Sequence, residues 1–462
     1  MKRVKKALCL VLALALLLAL TPMTSQAAET PGMVRGSSVL NTGVNTSNAA
    51  TVYYGYHYDD DFEIECLPWC VIGYNGKGVA SAGGNMTLFA AYNIDGIKYQ
   101  GVGSSGSNNT YSTSGLRTWL ESFLYDGFNS LELIPMIPRT LAGGGENYGV
   151  TGYDANLIRG DAVTNATVWP LSAGEAESVD DSIRRGTFAD KGGRFWLRSP
   201  GSGDRLVAYV DVYGSINYDG LSVITEILGV RPAFNFDLSH ILFTSAVAGG
   251  KYCSEVGANA LTAVVPNTTN AWKLTITTDE QTSFSVNICE TTYDSSTGIV
   301  TVPYSGACTF QDEYVSAVII DDSGAVTYYG RIAEVTASAG TVTINVKDKL
   351  TDGDTLYVFS EQYWGDYFTD YASELIEIPL PPNGHSWSWV RDQEPTCVTP
   401  GVQHEVCTVC GATRSAGTPI EATGQHTEVT DRAVSPTCTE TGLTEGSHCS
   451  VCNTVLTAQA NQ

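Results

Sequence analysis

Positive charge is scarce in this chain. Its 462 residues hold 25 Lys plus Arg against 49 Asp plus Glu, a formal charge of −24, with only 6 His. A surface this acidic repels phosphates, which argues against nucleic acid and against anionic membrane surfaces as partners. Charged residues of either sign make up 16%, where about 25% is usual. No apolar run after residue 20 approaches the roughly 20 helical residues that span a bilayer. There is also no HExxH helix, no Walker loop, no Ser/His/Asp order and no GxGxxG after a strand, so the common hydrolytic and nucleotide chemistries have no motif to rest on. What the chain does have is Gly (47), Tyr (24) and 43% hydrophobic residues, enough for real cores. The composition predicts a weakly charged, β-dominated globular protein, and at about 150 residues per domain the length suggests three domains.

The N-terminus predicts export. Lys2, Arg3, Lys5 and Lys6 precede the apolar run Ala7 to Leu20, and Ser25-Gln26-Ala27 offers small residues for a signal peptidase. The run is too short to span a membrane, so residues 1–28 are expected to be a cleaved leader, leaving a secreted or cell-surface protein with no transmembrane segment. Cleavage would remove four basic and no acidic residues, taking the charge to 21 − 49 = −28.

Three regions follow. Residues 34–245 alternate in short strand-like segments such as Thr51 to Tyr56 and Trp69 to Tyr74, punctuated by Gly, Asn and Ser. One helix interrupts them: Ser114 can cap it, and Leu116, Trp119, Leu120, Phe123 and Leu124 share a face. A shorter helix is expected after Ser172, where Ser172 and Glu175 have capping-box spacing. This region reads as an α+β domain rich in loops. Residues 246–380 give strand signals without a helix, at the spacing of an all-β immunoglobulin-like sandwich, and read as a spacer. Residues 383–462 hold two copies of a Cys/His repeat, the second incomplete at its end.

That repeat carries the most specific spacing. Its first copy has His385, then Glu-Pro-Thr-Cys397, Gly401 and Cys407-Thr-Val-Cys410; its second has His426, Ser-Pro-Thr-Cys438, Gly442 and Cys449-Ser-Val-Cys452. One His and three thiolates make the closed tetrahedral shell of a structural zinc site. A short, Gly-rich unit with little core needs such a staple. Disulfides, and then free thiols, are the alternatives for an exported chain, but three Cys per unit cannot all pair within it. Two sites are thus expected, His385/Cys397/Cys407/Cys410 and His426/Cys438/Cys449/Cys452. Cys66 and Cys70, flanking Leu-Pro-Trp, read as two thiols on a strand rather than a small disulfide.

The string Gly192-Gly-Arg-Phe-Trp196-Leu-Arg198-Ser-Pro-Gly201, with Gly229-Val-Arg231-Pro-Ala-Phe234 after it, joins Leu116 to Leu120 and Leu171 to Ala176. Together they resemble a family of exported bacterial proteins of uncharacterised function, over almost all of 40–245. The family in turn resembles the C-type-lectin-like fold of formylglycine-generating enzymes and of retroelement-diversified variable proteins, which implies an α+β lectin-like domain. The tail resembles the Cys-x2-Cys repeats that end surface proteins of anaerobic Gram-positive bacteria.

Physically, Trp196, Arg198 and Arg231 read as scaffold. Between them lie Asp204, Arg205, Leu206, Asp211, Tyr213, Tyr218, Asp219, Leu221 and Ile224 on Gly-bounded turns, a mix suited to contacting an extracellular protein or glycan. The alternative is ordinary strands and turns. The resemblance implies two further readings. A diversified receptor would place its variable residues here, although Glu226 is out of reach of adenine-directed change from an AAC codon. An oxidase of the formylglycine-generating type would need cysteines that the stretch between Cys70 and Cys253 lacks. The expectation is non-catalytic binding, with structural zinc in the tail and no organic cofactor. The acidic run Asp59-Asp-Asp61 with Glu63 and Glu65 reads as a solvated loop, since it lacks the order of a calcium loop.

Overall fold

Ser114 starts the longest helix among the described residues, Gly115–Asp126, its hydroxyl accepting the Arg117 N–H at 3.1 Å. Leu116, Leu120 and Phe123 are buried from it, Trp119 stacks on Phe123, and the Trp119 indole donates to Asp95 at 2.9 Å. Ser172 and Glu175 close the expected capping box on Ala173–Glu177. The protein is known here as a computed structural model that describes residues 30–58, 64–100, 109–141, 162–185, 193–351, 353–380, 387–408 and 413–462. The expected leader, the acidic run 59–61 with Glu63, His385 and Cys410 lie outside the described residues.

The fold is mainly β, with 47% of the described residues in strands and 11% helical, which overturns the expected α+β lectin-like class. The physical reason lies in the helices. Among the described residues, apart from Gly115–Asp126, the α-helices Ser130–Leu133, Ala173–Glu177 and Asp181–Arg185 have 4 or 5 residues each. Such short pieces cannot form a layer; strands close the interior instead.

Sixteen strands join one hydrogen-bonded sheet that passes from the first region into the second. Thr51–Tyr58 pairs in parallel with Ala271–Thr277, which pairs in parallel with Asp370–Ala372. The sheet is therefore continuous across residues 245 and 246. A core including Trp69, Trp169, Trp196 and Trp272 fills the first region, and a second core including Val300, Val315, Ile344 and Val358 fills the next. Between them, Phe243, Val318, Tyr329 and Phe359 belong to a smaller cluster.

A separate five-stranded sheet runs in the order Ile216–Ser222, Leu206–Val210, Phe195–Pro200, Ile227–Val230, Asp95–Lys98. It carries the strand of the first motif, the start of the second (Gly229 and Val230) and the segment between them, while the rest of the second motif, on Pro232–Asp237, belongs to the large sheet. The tail forms two three-stranded antiparallel sheets, one from Trp387–Gln393, Gly401–Cys407 and Thr413–Ile420, the other from Glu428–Asp431, Gly446–Cys449 and Val455–Thr457. Gly401 and Gly442 play the same part in each. A Cβ on either would stand 2.5 Å from a backbone carbonyl oxygen, of Gln393 and Val434 respectively, so no side chain fits. Among the described residues no helix is long and apolar enough to cross a membrane.

Candidate metal centre and contact surface

The motif residues form a frame. Trp196 is fully buried on Phe195–Pro200; its indole N–H donates to the Ile97 carbonyl at 2.9 Å and its ring meets Tyr99 edge-on. Arg198 pairs with Glu175, whose other oxygen accepts from Arg139 at 3.1 Å. Burial alone would raise the Glu175 carboxyl, but Arg198, the Ser172 N–H and Arg139 bring it below its ordinary value. Arg231, also buried, donates to the carbonyls of Ala90 (3.0 and 2.8 Å), Arg184 (2.7 Å) and Ile183 (2.9 Å). Its guanidinium lies over Phe89 and Phe195. Trp196 and Arg231 thus hold backbone carbonyls, while Arg198 is held in an ion pair with Glu175.

The segment between the motifs divides into two sets. Asp204, Arg205, Tyr213, Asp219 and Ile224 are exposed, Tyr213 to 75%. Leu206, Asp211, Tyr218 and Leu221 are half-buried, and Tyr218 and Leu221 pack against the core. Desolvation, then the nearby Glu177 carboxylate, raise the Tyr218 phenol. Asp211 builds the turn that presents Tyr213: its Oδ1 accepts the N–H groups of Tyr213 (2.8 Å) and Ser215 (2.9 Å). From outside the turn, Arg185 Nε donates to the Tyr213 carbonyl at 3.0 Å and Arg184 Nε to the Gly214 carbonyl at 2.7 Å. The Tyr213 ring thus stands in solvent on a backbone fixed from both sides.

In the tail, the Sγ atoms of Cys397, Cys449 and Cys452 and a ring nitrogen of His426 all lie within 4.8 Å of one another. This group can hold a metal ion. The Cys397 and Cys449 sulfurs are 3.7 Å apart, and Cys452 Sγ is 3.3 Å from His426 Nδ1. A tetrahedral ion with metal–sulfur bonds of about 2.3 Å sets sulfurs about 3.8 Å apart; a disulfide requires about 2.05 Å. Desolvation opposes ionisation of Cys449, but the N–H groups of Cys452 and Val451 together with His426 lower its thiol to about 5. Cys452 Sγ and Thr454 Oγ1 are hydrogen-bonded at 3.1 Å, and this bond is the largest cause lowering that thiol.

The membership of this group differs from the expected one. Cys438 is exposed and stands outside it, and its place is taken by Cys397 of the preceding copy. A second contact has the same form: Cys289 Sγ, from the second region, lies 3.7 Å from Cys407 Sγ, the counterpart of Cys449. Spacing within one copy could not reveal this, because a ligand shifted by one whole repeat leaves the same periodic pattern.

Sequence reasoning also missed a shallow cavity of about 350 Å3 at the edge of the five-stranded sheet, lined by Asn93, Asp95, Arg194, Ile227 and Gly229 among others. Asn93 Oδ1 is buried there without a hydrogen-bond partner. Gly229 is required: a Cβ would come within 2.0 Å of Asn93 Cγ. No periodic or motif signal marks Asn93.

No curated protein and no solved structure matches the chain. Residues 84–238, which include both paired motifs and the exposed turn of Tyr213, match a family described as a domain of unknown function, DUF6273.

Proposed function

We propose that this is a non-catalytic extracellular or cell-surface binding protein that recognises a protein or glycan through the exposed turns of residues 203–229. Structural zinc at Cys397, His426, Cys449 and Cys452 holds its tail units together. The observation that carries the binding reading is the fixed presentation of Tyr213, an exposed aromatic on a turn braced by Asp211, Arg184 and Arg185. An aromatic ring held this way meets a ligand with little conformational entropy left to lose. The neighbouring Trp196, Arg198 and Arg231 supply stiffness and leave no reactive group facing solvent. The donor set supports zinc, since three sulfurs and one imidazole nitrogen suit it and would close its shell without an open position for chemistry. The leader expected at residues 1–28 would carry the chain out of the cell.

The test is a screen of the full-length protein against arrayed glycans and arrayed extracellular proteins, repeated with Tyr213→Ala. The reading requires a ligand bound by the wild type and weakened at least fivefold by the substitution, with unchanged melting. A ligand bound equally well by Tyr213→Ala would move the recognition surface elsewhere and overturn the assignment.

A further inference from the structure

Two lysines and two carboxylates lie wholly inside the protein where the large sheet passes from the first region to the second. Lys251, Lys273, Glu361 and Asp370 have side chains no more than 1% exposed. Four elements bring them together. Lys251 follows strand Ile241–Ala246, Lys273 is on Ala271–Thr277, Glu361 is on Thr355–Gln362, and Asp370 opens Asp370–Ala372.

Lys251 Nζ donates to Asp370 Oδ2 at 2.8 Å, to Thr275 Oγ1 at 3.2 Å and, in a short contact, to Glu361 Oε2. Lys273 Nζ is 2.8 Å from the same Asp370 oxygen, while Asp370 Oδ1 accepts the Trp364 N–H at 3.0 Å. The other Glu361 oxygen accepts from Ser316 Oγ at 2.6 Å and from the Tyr329 hydroxyl. The rings of Tyr329 and Tyr363 wall the amines, 5.1 and 5.7 Å from Lys251 Nζ.

Four buried ions are a poor device for stability alone. Removing each from water carries a penalty of several kcal/mol, and apolar replacements of such clusters are often no less stable. The arrangement has a chemical use instead. An amine and a carboxyl group are held in contact in a water-poor site, a proton acceptor touches the amine, and a second cation touches the carboxyl oxygen. Fixed contact of this kind replaces a bimolecular encounter. A low dielectric also favours a neutral amide over the separated ion pair that precedes it.

We propose that Lys251 and Asp370 condense to an intramolecular amide cross-link, with Glu361 as the residue that carries the protons. The Lys251 ammonium passes one proton to Glu361, and the freed nitrogen lone pair attacks Asp370 Cγ. In the tetrahedral intermediate the Lys273 ammonium and the Trp364 N–H stabilise the carboxyl oxygens. The nitrogen gives up a second proton, and the Cγ–Oδ2 bond breaks as both protons leave with that oxygen as water. One hydrogen remains on the amide nitrogen and Glu361 ends as the carboxylate it was. The sum is one ammonium and one carboxylate going to one amide and one water, with no oxidant, metal or nucleotide needed. The product leaves Lys273 and Glu361 as a balanced pair of opposite charges. It joins positions 119 residues apart, and so ties the segment that follows strand Ile241–Ala246 covalently to the last strands of the second region.

Mass spectrometry of the purified full-length protein tests this. The expected result is a proteolytic map containing a branched peptide that joins Lys251 to Asp370, lighter than the sum of its two linear peptides by one water. Glu361→Gln, checked for folding by circular dichroism, should yield the two linear peptides instead. Unlinked Lys251 and Asp370 peptides in the wild-type map would overturn the proposal whatever the variants do. A branch at Lys273 would overturn the assignment of the nucleophile, and an undiminished cross-link in Glu361→Gln would overturn the role of Glu361.

Discussion

Cys397 Sγ lies 3.7 Å from Cys449 Sγ, a contact between the two tail units rather than within either. Each unit is a three-stranded sheet with much exposed surface, too thin to bury a core of its own. A metal ion held across the units would do two things at once: it would replace the missing core, and it would fix the angle between neighbours. The Cys289–Cys407 contact extends the same arrangement backwards, joining the first tail unit to the second region.

The register of ligands gives the first prediction. Zinc bound by the full-length protein should fall by one equivalent in Cys397→Ser and stay at the wild-type level in Cys438→Ser. Elemental analysis after gel filtration reads this directly, and cobalt substitution reports the number of sulfur ligands from its charge-transfer bands. The reverse pattern would restore the within-copy site His426/Cys438/Cys449/Cys452.

The frame and the exposed turn should respond in opposite ways. Trp196→Ala removes a fully buried ring and should lower stability by about 3–5 kcal/mol. Tyr213→Ala removes an exposed one and should change it by less than about 0.5 kcal/mol. Asp211→Ala falls between, at about 0.5–1.5 kcal/mol, because its carboxylate accepts two backbone N–H groups of the turn. Urea midpoints rank the three; a Tyr213→Ala variant as unstable as Trp196→Ala would mean that the turn is structural.

Some of this was legible in the sequence and some was not. The helix Gly115–Asp126 and the box of Ser172 with Glu175 were readable because a cap and an i, i+3, i+4 pattern are local. The Cys/His spacing pointed to a tail that could hold a metal ion, but not to the grouping of Cys397 with His426, Cys449 and Cys452 across the two copies. The lectin-like class failed because a fold likeness borrowed from two motifs carried no information about how the strands pair. Lys251, Glu361 and Asp370 were invisible: they are brought together only by sheet pairing across more than 100 residues, as in Lys251 with Glu361, 110 positions apart. Among the turn residues, composition marked Tyr213 and Tyr218 alike, and only strand register separates the exposed ring from the packed one.

Glu175 should make the frame sensitive to acid. Its folded-state carboxyl is held below the ordinary 4.5, against the pull of burial, by Arg198, the Ser172 N–H and Arg139. A carboxyl depressed in the folded state contributes stability that is fully present above its unfolded value and is lost as pH falls through the folded one. The wild type should therefore be more stable than Glu175→Gln at pH 7, with the difference shrinking below about pH 4.5 as protons bind. Melting temperatures of both proteins between pH 7 and about pH 3 measure it. A difference that does not change with pH would assign the effect to packing rather than to charge.

Arg231 gives the sharpest test of the frame, because the conservative substitution is the informative one. Its guanidinium reaches three separate carbonyls, of Ala90, Ile183 and Arg184, while its flat face lies over Phe89 and Phe195. Arg231→Lys keeps the charge but offers a single ammonium that cannot reach all three acceptors and has no plane to stack. At least one buried carbonyl then loses its partner, and each lost bond to a charged donor is worth about 1.5–3 kcal/mol. We expect Arg231→Lys to lower stability by about 3 kcal/mol or more, read as a fall in the urea midpoint at constant slope. The loss should appear in tryptophan fluorescence, since Trp69, Trp169 and Trp196 share the first core with the rings that Arg231 covers. A loss under about 1 kcal/mol would show that charge alone satisfies the site, and that the fork and plane of the guanidinium are not what the frame depends on.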